Sequence, residues 1–191
     1  GMEENTVFTL RNIPDTYAIY DFVQSKKPAS CAVIGAGFIG LEMAENLAEQ
    51  GIQVSVVEGA AHVMPPIDLD MAHGVHNYIR AKGIELYLGQ TCTAMDKEGV
   101  ILKDGRKVKA DMVILSIGVR PDTGFLKDSG IELGQRGEIL VNEYMETSAK
   151  DVYALGDALS VLHVVSQKQV LIPLASPANK QGRIVGDNLC G

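Results

Sequence analysis

Three glycines at the spacing Gly35-x-Gly37-x-x-Gly40, followed further along by Glu58, are the residues of this sequence best suited to chemistry with a nucleotide. The first glycine lets the chain turn sharply, the second lets the backbone approach a pyrophosphate, and the third lets a helix pack close to its neighbouring strands. A helix that starts there presents free N–H groups and the positive end of its dipole to phosphate oxygens. Glu58 stands about where a carboxylate must lie to accept the ribose hydroxyl protons, and it would repel a 2′-phosphate. The following Gly59-Ala60-Ala61-His62 has no Arg or Lys to hold such a phosphate, so NADH is expected over NADPH. His62, if protonated, is the group that could offset this preference.

These residues work only in a particular setting, a strand before the glycines and a helix and parallel strand after them. Cys31-Ala32-Val33-Ile34 reads as a short buried strand, and the helix after it carries Ile39, Met43, Leu47 and Ala48 on its apolar side before Gly51 ends it. Gln53 to Glu58 is a valine-rich second strand. A helix from Leu69 to Lys82, stopped by Gly83, and a third parallel strand from Ile84 to Leu88 continue the alternation. Short strands at Thr91–Met95, Val100–Lys103 and Lys107–Val108 then form an antiparallel insert, with Asp104-Gly105 as its hairpin turn. Asp111 to Ile117 is apolar almost throughout, as in a strand buried on both faces.

Ahead of this core, Pro14-Asp15-Thr16 reads as a break, followed by a helical pattern through Ile19, Phe22 and Val23. After Pro121 the sequence suggests a short helix near Thr123–Ser129, a strand at Ile139–Val141, a hairpin about Gln167-Lys168 and a helix from Ser176. The fold class expected is a three-layer, Rossmann-like α/β domain of the FAD/NAD(P)-binding kind, its parallel sheet carrying an antiparallel β-meander insert.

Composition narrows the function classes. The chain has 191 residues, 46% hydrophobic, and 17 Lys+Arg against 24 Asp+Glu give a net charge of −7, so no electrostatic footprint for nucleic acid or anionic lipid is present. Lys26-Lys27 is too small a basic patch to alter this. The most apolar stretch, Met112 to Leu115 with Ile117 and Val119 after it, is far short of a membrane span, and the first thirty residues are too polar for a secretory signal. Cys31, Cys92 and Cys190 are odd in number and widely spaced, which points to neither a disulfide framework nor a zinc site and fits a reducing, cytoplasmic setting. His73 and His76, three apart on one helix with Asp70 nearby, have a metal-ligand spacing, but no further ligand converges on them and a solvated helix face is the better account. On mechanics alone, Glu42 is an N-terminal helix acid and Asp157 an N-cap for the segment after it.

The run Val33 to Glu45 resembles the NAD-binding segment of the flavin-dependent pyridine nucleotide-disulfide oxidoreductases, and three further segments agree with it. Leu115-Ser116-Ile117-Gly118-Val119-Arg120-Pro121 looks like the strand and turn beside bound NAD in that family. Thr147-Ser148 through Asp151 to Ala158 resembles its second flavin motif. Ile172 to Arg183, with the lead-in Phe8 to Thr16, is similar to the branch of coenzyme A-disulfide reductases, persulfide reductases and NADH oxidases. The resemblance implies hydride transfer from NADH to FAD and onward to a disulfide, persulfide or oxygen acceptor.

It implies an NAD set of Gly35, Gly37, Phe38, Ile39, Gly40, Glu42, Glu58, Gly59 and Gly118, with Glu42 near the nicotinamide and Arg120 divided between ligand contact and a surface role. In the parent enzyme Gly156, Asp157, Ala158, Leu174 and Ala175 would contact FAD, and Asp157 would bond its ribityl chain. The redox cysteine, the FAD-binding glycine motif and the dimerisation domain of the family are not in this sequence; none of the three cysteines fits the catalytic position. Residues 1–29 are accordingly expected to be the connection from the FAD domain, 30–145 the NAD domain, and 146–191 a C-terminally truncated part of the FAD domain. Gly1-Met2 then marks a cut, the missing domains are the partners of this chain, the parent is a homodimer, and the fragment is inactive alone. A stand-alone nucleotide-sensing module and a domain of a ferredoxin-type reductase without a redox cysteine are the alternatives.

Overall fold

The structure, a computed structural model, describes residues 6–191, so Gly1 and Met2 lie outside the described residues. The chain divides into two compact units, one ending at Gly118 and the other running from Val119 to Gly191. In the first, β1 (Val7–Thr9), β2 (Ser30–Ile34), β3 (Gln53–Glu58) and β4 (Glu85–Leu88) lie in one sheet with a later strand, Met112–Leu115. Between them run α1 (Ile13–Lys26), α2 (Phe38–Glu49) and α3 (Leu69–Ala81). The insert supplies β5 (Cys92–Asp96), β6 (Gly99–Leu102) and β7 (Lys107–Lys109), which makes Met112–Leu115 strand β8. The five-stranded sheet has the order β1-β8-β2-β3-β4, and every pairing in it is parallel.

Both faces of this sheet are covered, which explains why β2 and β8 read as continuous apolar runs. Cys31, Val33, Val54, Val56, Met112 and Ile114 point to the face where α1, α2 and α3 contribute Ile19, Ala44, Leu47 and Ile79. The alternate residues Ala32, Ile34, Val57 and Val113 point the other way, against Val100, Leu102 and Val108 of the meander. Helices, sheet and meander are thus the three layers expected from the sequence. At the amino end of the paired strands β2 and β8 the Asp111 carboxylate ties the two together, accepting from Ala29 N–H, Ser30 N–H and the Ser30 hydroxyl at 2.8, 2.9 and 3.0 Å.

Three expectations need correction. Pro14 does not break the chain; it sits in the first turn of α1, where its missing N–H costs no bond. Asn12 caps that turn by accepting from Asp15 N–H (2.9 Å), and the Asp15 carboxylate accepts in return from Arg11 N–H (2.8 Å). Ahead of it, Val7–Thr9 forms an edge strand of the main sheet, which the sequence reading left as lead-in. Ile39 does not lie on the apolar side of α2: it is exposed, while Ala44 and Leu47 are buried and Met43 and Ala48 pack against the core as expected.

In the second unit the helix expected near Thr123–Ser129 shrinks to a single 3-10 turn at Gly124–Leu126, between Pro121 and Gly130. Strand β9 (Ile139–Leu140) pairs in parallel with β10 (Leu159–His163), which forms a hairpin with β11 (Lys168–Leu171), and α4 (Ala175–Cys190) follows. Pairing of β9 with β10 ties residues before 145 to those after it. The two compact units divide at Gly118/Val119. Among the described residues no helix is long and apolar enough to cross a membrane.

Candidate functional site

At the carboxyl end of β2 the chain leaves the sheet by a turn that only glycine fits. Gly35 has φ +104, and a Cβ there would lie 2.4 Å from the Ser116 carbonyl oxygen; a Cβ on Gly40 would lie 2.0 Å from the Gly35 carbonyl oxygen. Gly37 is the reverse case: nothing lies within 4 Å of its Cβ position, so its surface is open to a ligand. Gly37 also caps α2 with no side-chain bond. The first helical bond runs from Leu41 N–H to the Gly37 carbonyl (3.0 Å), so the N–H groups of Phe38, Ile39 and Gly40 ahead of it are left for an outside acceptor. With no acidic side chain in the first turn, that helix end suits an anion.

Glu58, at the end of β3, reaches back to the loop. One carboxylate oxygen accepts from Ala36 N–H and the other from Ala60 N–H, both at 2.7 Å. A carboxylate has about four acceptor positions, so each oxygen keeps one for a ribose hydroxyl. Ser116 fixes the loop from β8: its N–H donates to the Ile34 carbonyl (2.8 Å), and its hydroxyl lies 2.9 Å from the Gly35 carbonyl. Across the loop, Met64 N–H donates to the Ala36 carbonyl at 2.8 Å.

These elements enclose a cleft of about 440 Å³ at the carboxyl ends of β2, β3, β4 and β8. This is where the strand order reverses, since the chain passes from β2 outward through β3 and β4 and then returns to the other side of β2 as β8. Of the nine expected NAD residues the cleft wall includes Gly35, Gly37, Glu58, Gly59 and Gly118. Gly40 is close behind the wall, as a packing glycine. Phe38 and Ile39 stand exposed in the first turn of α2, and Glu42 lines a separate space of about 200 Å³ between α2 and α3. His62 turns away from the cleft; its Nδ1 donates to the Val63 carbonyl at 2.9 Å.

Pro65, Gln90, Thr91 and Cys92 line the wall without having been singled out in the sequence, while Ser116 falls in the segment expected beside NAD. Gln90 and Thr91 follow β4, at the carboxyl end of a parallel strand, and that position alone is a pointer to a ligand crevice. Cys92 is half buried and burial pushes its thiol up. Cys31 is fully buried in β2 with its thiol pushed up to about 12 by burial, so neither is an activated nucleophile. His76 is buried and its Nε2 accepts from Val63 N–H (3.2 Å), which is not the solvated position expected for it. Among the described residues no group of three or more His, Cys, Asp or Glu is placed to hold a metal ion.

In the second unit the residues expected to contact FAD are arranged differently. Gly156 has φ +99, and its N–H donates to the buried Gln181 of α4 (2.9 Å). Asp157 next to it is exposed and accepts no hydrogen bond among the described residues, so it is not an N-cap. Leu174 and Ala175 begin α4, again without a side-chain cap. Arg120 makes no ion pair among the described residues.

Comparison with known proteins agrees with this geometry. The family described as Pyridine nucleotide-disulphide oxidoreductase matches residues 1–182. The chain belongs to that family. Relatives of this pyridine nucleotide-disulphide oxidoreductase chain include an NADH oxidase of Methanocaldococcus jannaschii, 36% identical over all of this chain and 43% of its own length. An NAD(P)H sulfur oxidoreductase (CoA-dependent) of Pyrococcus furiosus is 34% identical over all of this chain and 44% of its own. Among solved structures, the reduced CoADR-RHD protein of Bacillus anthracis superposes with a TM-score of 0.91 at 47% identity, over 96% of this chain and 33% of that one. The chain spans less than half the length of these relatives. Their names take in both nicotinamide cofactors.

Proposed function

We propose that the unit ending at Gly118 binds NADH as one part of a longer FAD-dependent oxidoreductase. The observation that carries this reading is the cleft itself, with open backbone at Gly37 and the free end of α2 on one side and the Glu58 carboxylate on the other. Gly37 and the N–H groups of the first turn of α2 would take the pyrophosphate, while Glu58 accepts the ribose hydroxyls without releasing Ala36. A 2′-phosphate would meet that carboxylate, with no Arg or Lys in residues 59–62 to balance it, and this supports NADH over NADPH. Gly118 would pass the nicotinamide side with no Cβ in the way.

In the second unit Gly156, Asp157, Ala158, Leu174 and Ala175 would form part of an FAD site that other parts of the protein complete. Bound together, NADH would supply a hydride to FAD, whose two electrons would go on to a disulfide, persulfide or oxygen acceptor. This chain's residues bind and orient. Residues 30–145 serve as the NAD-binding segment and 146–191 as part of the FAD-binding one, with a redox cysteine, where the acceptor needs it, on another segment of the protein. The purified chain should bind NADH more tightly than NADPH in calorimetry and show no stoichiometric flavin absorbance. Tight FAD retention, disulfide reduction by the chain alone, or equal affinity for NADPH contradicts the reading.

A further inference from the structure

The loop between Gly35 and Gly37 is held from a direction that the nucleotide reading does not use. Behind it runs the segment Val63-Met64, which joins β3 to α3. Met64 N–H donates to the Ala36 carbonyl at 2.8 Å, and Met64 itself is in the left-handed region, with φ +49. A β-carbon residue stays in that region only where its surroundings hold it. What holds it is the neighbouring residue: Val63 is fully buried, its carbonyl accepts from His62 Nδ1 at 2.9 Å, and its N–H donates to His76 Nε2 at 3.2 Å. His76 is 4% exposed on the inner face of α3.

We propose that His76 is a positioning residue for the nucleotide loop, acting through Val63 and Met64 on Ala36. This rests on the reading of the cleft as an NADH site. The imidazole must offer an unprotonated Nε2 to Val63 N–H. Burial favours that neutral form, and so do the other cationic or titratable groups acting on it, Arg80 and His73 from its own helix and His62 just ahead of Val63. Removing the acceptor strands a buried N–H, frees Met64 to leave its strained conformation, and releases Ala36 on the side opposite Glu58.

The test uses the whole 191-residue chain with His76→Leu, which removes the acceptor, and His76→Gln, whose side-chain oxygen can replace it. In the absence of nucleotide, His76→Leu should speed amide exchange at Met64 about tenfold relative to β2 and β3, and should raise the NADH Kd about tenfold. His76→Gln should bring both back to within about threefold of the parent chain. Unchanged Met64 exchange in His76→Leu overturns the proposal, and so does acceleration spread evenly over β2 and β3. Should His76→Leu fail to fold, the nitrogen chemical shifts of His76 in the parent chain decide: an unprotonated Nε2 supports the proposal and a protonated Nε2 overturns it. If exchange responds as expected while the parent chain binds no NADH, the positioning stands and the nucleotide reading fails.

Discussion

In the unit ending at Gly118, the glycine loop is held on three sides by Glu58, Ser116 and Met64, whereas in the second unit Asp157 stands exposed and accepts no bond among the described residues. Both regions contain a turn glycine with positive φ, and both place candidate ligand residues at the start of a helix. The difference lies in what surrounds them. The first cleft draws every wall from one parallel sheet and its connections, so folding that sheet assembles the site. In the second unit backbone bonds fix Gly156, Ala158 and Leu174, while the Asp157 side chain that would meet a ligand accepts no hydrogen bond among the described residues. On the proposed reading, the Rossmann-like unit would carry a complete nucleotide site by itself, while the flavin site would need residues from other parts of the protein.

Substitutions can break this contrast, and the largest effect is expected at the packing glycine. Gly40→Ala would press a methyl group against the Gly35 carbonyl and the Ser116 hydroxyl, costing about 3 kcal/mol in chemical denaturation and abolishing NADH binding. Next comes Glu58→Ala, which leaves Ala36 and Ala60 N–H without their acceptor and should weaken NADH binding by about 2 kcal/mol, roughly thirtyfold, in calorimetry.

The effect of pH on stability is smaller and has a definite sign. Burial holds His76 below the ordinary histidine value of 6.5, so the unfolded chain takes up a proton at this ring before the folded chain does. Its contribution is complete above about pH 6.5 and declines as pH falls toward the depressed folded value. Melting temperatures measured between pH 7.5 and 5.5 should fall less steeply in His76→Gln than in the parent chain. The smallest effect belongs to Asp157→Ala, expected to change stability by less than about 0.5 kcal/mol and NADH affinity not at all, because the exposed side chain makes no hydrogen bond or ion pair among the described residues. A large loss of NADH binding in Asp157→Ala would show that the two regions are not independent.

Periodicity and punctuation in the sequence account for much of what the structure contains. The valines of β3, the stop at Gly83 after α3 and the Asp104-Gly105 turn all come from local preferences, and each element forms within a residue or two of its expected bounds. Val7–Thr9 was not legible because a three-residue strand has too little alternation to show, and its place is set by pairing with β8 about a hundred residues later. Pro14 gave the opposite of its true meaning, since a proline that interrupts a helix and one that starts it look alike until the Asn12 cap is seen. The glycines and Glu58 announced the site, but Ser116 and His76 did not. Their roles depend on which backbone groups the folded loops bring within reach, and no spacing along the chain encodes that.

Titrating NADH into the parent chain and into Gly37→Ala tests the central claim most directly. Gly37 has φ −77 and nothing within 4 Å of its Cβ position, so the methyl group meets no protein atom and disturbs only the surface offered to a pyrophosphate. The parent chain should bind one NADH, and Gly37→Ala should melt at the same temperature with NADH binding reduced at least about tenfold. Equal NADH affinity in the two chains, or no binding by either, would contradict the assignment of this cleft.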